Sequence, residues 1–251
     1  MNPFRGHLAL VVGHERAKAG AFGIYPISSP EYVYNTDLAE LISRFGKSRG
    51  HEVSIFFRDG VGIQGAYQQV NEWEPDAVIE LHFNAFNGEV RGTETLYADT
   101  DDQKGVLEKE FAEFVQKFIC GVFGRSAKED RGIKNRALSR GERGFMSVNQ
   151  VFGFPSILIE PFFGDNKNDA KMAVERKQEL AEAIIYAFEE WKKLIAFTRG
   201  YIESMEKRVA RDTPDTPETP DTPDTPSTPG TKETTAIRGR GRRKKLVSQK
   251  K

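Results

Sequence analysis

The sequence predicts an α/β fold in which helices flank a mostly parallel central sheet. Short apolar runs typical of strands alternate along the chain with longer segments of helical periodicity, and turn residues separate them. The predicted strands are residues 8–12, 52–58, 77–82, 93–97 and 156–160. The predicted helices are residues 31–49, 64–74, 106–123 and 168–193.

The first and last predicted helices have the clearest boundary signals. Ser29 and Pro30 stand at the start of helix 31–49, and Gly50 follows its end, as helix-capping preferences require. Apolar residues continue after the last helix, interrupted by Gly200, so this helix is expected to run on to about residue 209.

Length and composition favour one folded domain with additions. The chain has 251 residues, of which 38% are hydrophobic, and this suits a domain of roughly 200 residues. The single cysteine, Cys120, has no partner for an internal disulfide, and its amphipathic surroundings predict a packing role. No apolar run reaches the roughly 18–20 residues of a membrane span, and residues 1–7 lack the features of a signal peptide. We therefore expect synthesis in the cytoplasm without a signal peptide.

The composition divides the chain into three parts. Residues 1–211 form the predicted domain, residues 212–237 a Thr/Pro/Asp-rich extended linker, and residues 238–251 a disordered basic tail. The tail has eight basic residues and no acidic residue, and residues 212–230 have five acidic residues and no basic one. Because Lys232 and Glu233 balance and the totals are 37 of each sign, residues 1–211 carry a net charge of −3. A mildly acidic domain argues against a nucleic-acid enzyme.

Four side chains suited to metal chemistry lie at the ends of these elements. His14, His82 and Glu160 come at or just after the ends of three predicted strands, and Glu31 begins the first helix. Ligands bind at the carboxyl ends of parallel strands in α/β sheets. Two imidazoles and one carboxylate hold a catalytic zinc with a position left open for water, and a further glutamate acts as the base.

Motifs around these side chains resemble those of the zinc-dependent N-acetylmuramoyl-L-alanine amidases, which have a phosphorylase/hydrolase-like fold. The motifs are Val-Val-Gly-His at 11–14, Glu31 with Asn35, Leu-His-Phe-Asn-Ala at 81–85 and Leu-Ile-Glu-Pro-Phe-Phe at 158–163. Supporting similarities lie at residues 57–59, 92–97 and 131–134. The resemblance covers roughly residues 7–190, and it depends on the joint order and spacing of short motifs.

The resemblance implies a role for each of these residues. His14, Glu31 and His82 would bind one zinc ion, and Glu160 would be the catalytic carboxylate. The substrate would be peptidoglycan, cleaved at the amide bond between the lactyl group of muramic acid and L-alanine of the stem peptide. Further expectations are substrate contacts by three residues, namely Asn84, Arg131 and Lys134.

Other interpretations remain open for several residues. The alternative role of Glu31 is to complement the helix dipole, with Glu15 as the competing candidate ligand. Asn35 and Asn84 are expected to brace the site by hydrogen bonds, while Arg131 and Lys134 are equally compatible with a solvated surface pair. His7 and His51 are interpreted as structural or exposed, and Glu80 is expected to point away from the metal and is given no role. Departures from the family pattern, Glu15-Arg16 and Pro161, leave the groove shape and substrate preference open.

Two other functions compete with a wall amidase. One is a zinc amidohydrolase acting on a small substrate such as N-formylglutamate, and the other is a non-catalytic wall-binding module. The basic tail predicts attachment to an anionic wall polymer or lipid phosphate, although a solubilising end explains its composition too. Without a signal peptide, the protein would reach the wall by phage-type release, as an endolysin in lysis, or by another export route.

Overall fold

The computed structural model describes residues 5–100, 102–137, 144–149 and 153–212. Six strands and six helices are assigned in this part of the chain. In chain order they are β1 His7–Val12, α1 Glu31–Ser48, β2 Glu52–Phe56, α2 Gly62–Trp73, β3 Ala77–Leu81, β4 Thr93–Tyr97, α3 Gln103–Phe123, β5 Asp130–Asn135, α4 Phe145–Val148, β6 Ser156–Glu160, α5 Lys167–Glu175 and α6 Lys177–Asp212. Residues 213–237 of the predicted linker and the predicted tail, 238–251, lie outside the described residues.

The six strands form one sheet in the order β2-β1-β3-β6-β4-β5. The four strands from β2 to β6 are all parallel to their neighbours. β4 runs antiparallel to β6 and parallel to β5. The predicted α/β fold with a mostly parallel sheet is therefore confirmed.

Both faces of the sheet are covered by helices. Along β1, Leu8, Leu10 and Val12 belong to a large apolar cluster with residues of α1, α3 and α6. The alternate residues of β1, Ala9 and Val11, pack with residues of α2 on the opposite face. Strands buried on both faces are almost continuously apolar, which explains why the runs in β1, β3 and β6 were easily read from the sequence.

The structure differs from the predicted elements in three places. β5 was not predicted, because this strand at the sheet edge is polar and only half-buried. The predicted helix 168–193 is two helices, α5 and α6, with Arg176 between them. The short helix α4 was not predicted either.

Two further features agree with the expectations from composition. Cys120 is half-buried in α3, and burial raises the pKa of its thiol to about 12, so the thiol stays protonated. Among the described helices, none combines the length and the apolar character needed to cross a membrane.

Candidate metal centre

Three potential metal ligands meet at the carboxyl ends of neighbouring strands. His14 follows β1, His82 follows β3, and Glu31 is the first residue of α1. One ligand atom from each side chain lies within 4.8 Å of the other two, which makes a candidate metal site in the described part of the chain. Glu31 and His82 are buried, while His14 is partly exposed. This geometry places one carboxylate and two imidazoles around a common point.

Glu31 faces both histidines. Its Oε2 lies 3.1 Å from Nε2 of His14, and its Oε1 lies 2.7 Å from Nδ1 of His82. The two imidazole ring centroids are 4.9 Å apart. Burial alone would raise the pKa of Glu31, but the hydrogen bonds and charges of the two histidines outweigh it, and the pKa is well below its usual value. Glu31 therefore offers an ionised carboxylate to a cation.

The backbone also holds Glu31 in this position. The Glu31 carboxylate accepts hydrogen bonds from the backbone N–H of Phe83 at 3.0 Å and of Ala21 at 3.3 Å. The side chain is thus oriented toward the histidines and is not simply placed at a helix end. Glu15, the competing ligand, does not belong to the cluster, and its backbone pairs with Lys18 in a short bridge.

Two glycines leave the space that these side chains occupy. A Cβ atom on Gly13 would lie 2.5 Å from Nε2 of His82, and one on Gly20 would lie 2.7 Å from Oε2 of Glu31. His14 itself has a φ of 68°, a left-handed conformation that costs a non-glycine residue free energy. The chain therefore accepts local strain to bring the three side chains together.

We expect Gly13→Ala to destabilise the fold. The new methyl group would overlap both the His82 ring and the backbone oxygen of Leu81, each 2.5 Å from the position of Cβ. Overpacking of this kind costs about 1–3 kcal/mol in the free energy of unfolding, measurable by urea denaturation. The matched control is Gly121→Ala, because Gly121 lies inside α3 with nothing within 4 Å of its Cβ position. The free energy of unfolding of Gly121→Ala should be about 0.5–1 kcal/mol higher than that of the wild type. Equal urea midpoints for the two variants would contradict the expectation.

Glu160 lies next to His82 on the neighbouring strand, β6. Leu81 and Ile159 are partners in the parallel pairing of β3 with β6, and the backbone N–H of His82 donates to the oxygen of Ile159 at 3.1 Å. Residues 82 and 160 are therefore neighbours at the carboxyl ends of two adjacent strands. Glu160 is only 4% exposed.

Glu160 is held by a polar network that the sequence did not reveal. The Nδ2 amide of Asn84 donates to Oε2 of Glu160 and, at 2.8 Å, to Oε1 of Glu94. Arg131 donates to Oε2 of Glu94 at 2.7 Å. Burial alone would raise the pKa of Glu94, but the hydrogen bond and the positive charge of Arg131 act in the opposite direction, and the pKa of Glu94 is lowered. Glu94 received no role from the sequence, although it lies within the 92–97 similarity.

A cavity of about 390 Å³ opens over this network. Its lining combines two carboxylates, two guanidinium groups and apolar side chains, from Asn84, Ala85, Phe86, Val90, Glu94, Leu96, Arg131, Arg136, Glu160 and Phe163. Two of the three predicted substrate contacts, Asn84 and Arg131, line it beside Glu160. Lys134 is not among the lining residues; its positive charge contributes to the lowered pKa of Glu94.

The remaining singled-out residues have structural partners. Asn35 in α1 donates from Nδ2 to the backbone oxygen of Leu81 at 3.2 Å and so braces the segment before His82. His51 is buried and lies 3.0 Å from Oε1 of Glu189, while His7 is exposed. The expectation for Glu80 was wrong. Its Oε1 lies 2.7 Å from Nε2 of His82, since alternation puts residues 80 and 82 on one face and their side chains reach each other.

Comparison with known proteins links the chain to wall amidases. A family model described as N-acetylmuramoyl-L-alanine amidase matches residues 8–190. An uncharacterised cell wall amidase of Bacillus anthracis is 30% identical over 200 residues, which are 72% of this chain and 35% of that protein. The chain thus spans about a third of the length of this relative.

Two solved structures are similar at 26% sequence identity. Cwp6 from Clostridium difficile superposes with a TM-score of 0.64 over 74% of this chain and 29% of its own. The catalytic domain of the CD27L endolysin, which targets Clostridium difficile, superposes with a TM-score of 0.59 over 73% of this chain and 97% of its own.

Proposed function

We propose that this chain, which belongs to the N-acetylmuramoyl-L-alanine amidase family, is a zinc-dependent peptidoglycan hydrolase acting at the cell wall. It would cleave the amide bond between the lactyl group of muramic acid and L-alanine of the stem peptide. The observation that carries this proposal is the convergence of His14, Glu31 and His82 within 4.8 Å, with Glu160 on the adjacent strand. A non-catalytic wall-binding module would not need this convergence.

The three ligands fit a zinc ion. Two neutral imidazoles and one carboxylate are a donor set found in catalytic zinc sites. Gly13 and Gly20 support the assignment, because side chains there would fill the space around His82 and Glu31. When bound, zinc polarises the carbonyl of the scissile amide and makes the attacking water more acidic.

Glu160 would move the proton of the reaction. Its carboxylate would accept a proton from the attacking water and deliver it to the amine nitrogen as the C–N bond breaks. Asn84 holds Oε2 of Glu160 through its amide, so the carboxylate has a fixed orientation. The partner Glu94 is neutralised by Arg131, which limits repulsion between the two carboxylates.

The stem peptide would lie along the cavity next to Glu160. Asn84 and Arg131 line this cavity, and Arg131 also stacks over the ring of Phe163 at 5.2 Å. Lys134 lies in the same strand as Arg131, β5, and its positive charge also acts on Glu94. We assign these three residues to the peptide side of the substrate because stem peptides carry carboxylates.

Digestion of purified peptidoglycan tests the proposed reaction. Mass spectrometry should find intact stem peptides with a free L-alanine amino group and glycan strands with unsubstituted muramic acid. Metal analysis of the same preparation should find one zinc per chain. Turnover of N-formylglutamate without release of stem peptides would favour the small-substrate amidohydrolase, and zinc binding with no turnover of either substrate would favour the binding module.

We also propose that the basic tail attaches the enzyme to an anionic wall polymer or lipid phosphate. The eight positive charges in residues 238–251 support this, since attraction to a polyanion scales with charge. Removing residues 213–251 should leave hydrolysis of soluble wall fragments unchanged and slow the digestion of whole walls. The difference should shrink at high salt, which screens such attraction. Equal rates on whole walls at low salt would contradict attachment.

A further inference from the structure

The side of the His82 ring that faces away from Glu31 meets a buried polar cluster. Nε2 of His82 lies 2.7 Å from Oε1 of Glu80, which is fully buried in β3. Nδ1 of the same ring faces Oε1 of Glu31 at 2.7 Å. The ring is therefore held between two carboxylates, of which only Glu31 belongs to the ligand set.

Two further side chains hold Glu80 in place. Arg58 forms an ion pair with Oε1 of Glu80, and the hydroxyl of Tyr67 donates to Oε2 at 2.5 Å. Burial raises the pKa of Tyr67, so its hydroxyl remains protonated and acts as the donor. These contacts come from the segment that follows β2 and from α2, and they leave the Glu80 carboxylate little freedom to rotate.

A carboxylate held in this way determines which nitrogen of His82 carries the proton. A carboxylate paired with arginine only accepts hydrogen bonds, so the ring nitrogen facing it must be an N–H. A neutral imidazole has one N–H, and its other nitrogen keeps a lone pair. When a metal ion is bound between His82 and Glu31, that other nitrogen would be Nδ1, which points toward Glu31. Carboxylates that bind the free N–H of a metal-ligating histidine fix its tautomer and raise its affinity for the metal.

We propose that Glu80 is a positioning residue of the metal centre. It accepts a hydrogen bond from the Nε2–H group of His82 and thereby leaves Nδ1 free to bind the metal. Arg58 and Tyr67 hold the Glu80 carboxylate in the orientation that this hydrogen bond requires. This inference rests on the proposed function only in requiring that the centre binds zinc. It assigns Glu80 no contact with the substrate.

Zinc affinity of purified variants tests the inference, measured by competition with a chromophoric chelator at constant pH. Glu80→Gln removes the charge, and the double variant Arg58→Met with Glu80→Met removes the acceptor and the buried ion pair together. Replacing a buried ion pair by apolar side chains of similar volume is often neutral for stability. We expect both variants to bind zinc about 10–100-fold more weakly, the range typical for such hydrogen-bonding partners of a ligand.

A second glutamate that contacts an arginine and a histidine provides the control. Glu189 accepts from Arg49 at 2.7 Å and lies 3.0 Å from Nε2 of His51, away from the metal ligands. Glu189→Gln should therefore leave zinc affinity unchanged. Nitrogen-15 NMR of the zinc-loaded protein gives a second readout, because His82 should be protonated at Nε2 in the wild type and should lose that hydrogen bond in the double variant.

The possible outcomes separate this inference from the proposed function. If the wild type binds zinc and the folded double variant binds it equally well, the role of Glu80 is refuted and the zinc amidase stands. An equal loss of affinity in Glu189→Gln would also refute it, by showing a general effect of destabilisation. If the wild type binds no zinc, both this inference and the zinc dependence of the proposed function are refuted.

Discussion

Glu160→Gln should lower kcat for peptidoglycan by about 10²–10⁴-fold, the usual contribution of a general acid–base group. Glutamine keeps the size of the side chain and can still contact Asn84, but it cannot accept the proton of the attacking water. Since Glu160 is not one of the three clustered ligands, the variant should retain zinc at the wild-type ratio. Release of stem peptides and metal content, measured on the same samples, check the two parts of this expectation.

Glu89→Gln is the matched control for this variant. Glu89 is exposed and adjoins Val90 at the wall of the cavity, so the substitution removes a nearby carboxylate charge without touching Glu160. We expect its kcat to be unchanged. Wild-type kcat in Glu160→Gln would exclude Glu160 as the proton-transfer group, and loss of zinc from it would show that Glu160 acts on the metal site itself.

The positions of these residues were predictable because each lies at one end of an element with a clear sequence signal. His14 and His82 come directly after strands whose apolar runs are buried on both faces, and Glu160 ends a third such strand. Parallel strands bring their carboxyl ends to one side of the sheet, which made a shared site there predictable, and the resemblance to the amidase family selected these side chains for it. Glu31 could be included because helix α1 has a recognisable start.

The supporting residues were not predictable from the same signals. Glu80 interrupts an apolar strand, which indicates a buried partner, but the partners Arg58 and Tyr67 come from other elements. Glu94 meets Glu160 only because β4 pairs antiparallel to β6, and strand order is a property of tertiary packing. Periodicity describes one segment at a time and carries no information on which segments become neighbours.

Edge position and local helix breaks explain the missed elements. β5 is the last strand of the sheet that the described residues form, and its polar, half-buried sequence has no apolar run to detect. The break between α5 and α6 falls at Arg176, whose side chain is common inside helices and gives no signal of an end.

His82→Ala should weaken zinc binding by more than the roughly 100-fold upper limit expected for a residue that acts through a ligand. The substitution removes one of the three proposed ligands and leaves Glu31 with His14 as its remaining imidazole partner, at 3.1 Å. Hydrolysis of peptidoglycan should fall to the background rate because neither the carbonyl nor the water is then activated. Chelator competition measures the affinity, and release of stem peptides measures the activity.

The loss of zinc affinity in His82→Ala should be larger than the loss in the Glu80 variants. A ligand contributes its own bond to the metal, whereas Glu80 acts only on the orientation and basicity of the His82 ring, so the order of zinc affinities should be wild type, Glu80→Gln, His82→Ala. His7→Ala serves as the control, since His7 is exposed and its side chain lies 3.7 Å from Glu52. Zinc affinity in His82→Ala equal to that of His7→Ala would place the metal elsewhere. Equal losses in His82→Ala and Glu80→Gln would instead mean that Glu80 contacts the metal.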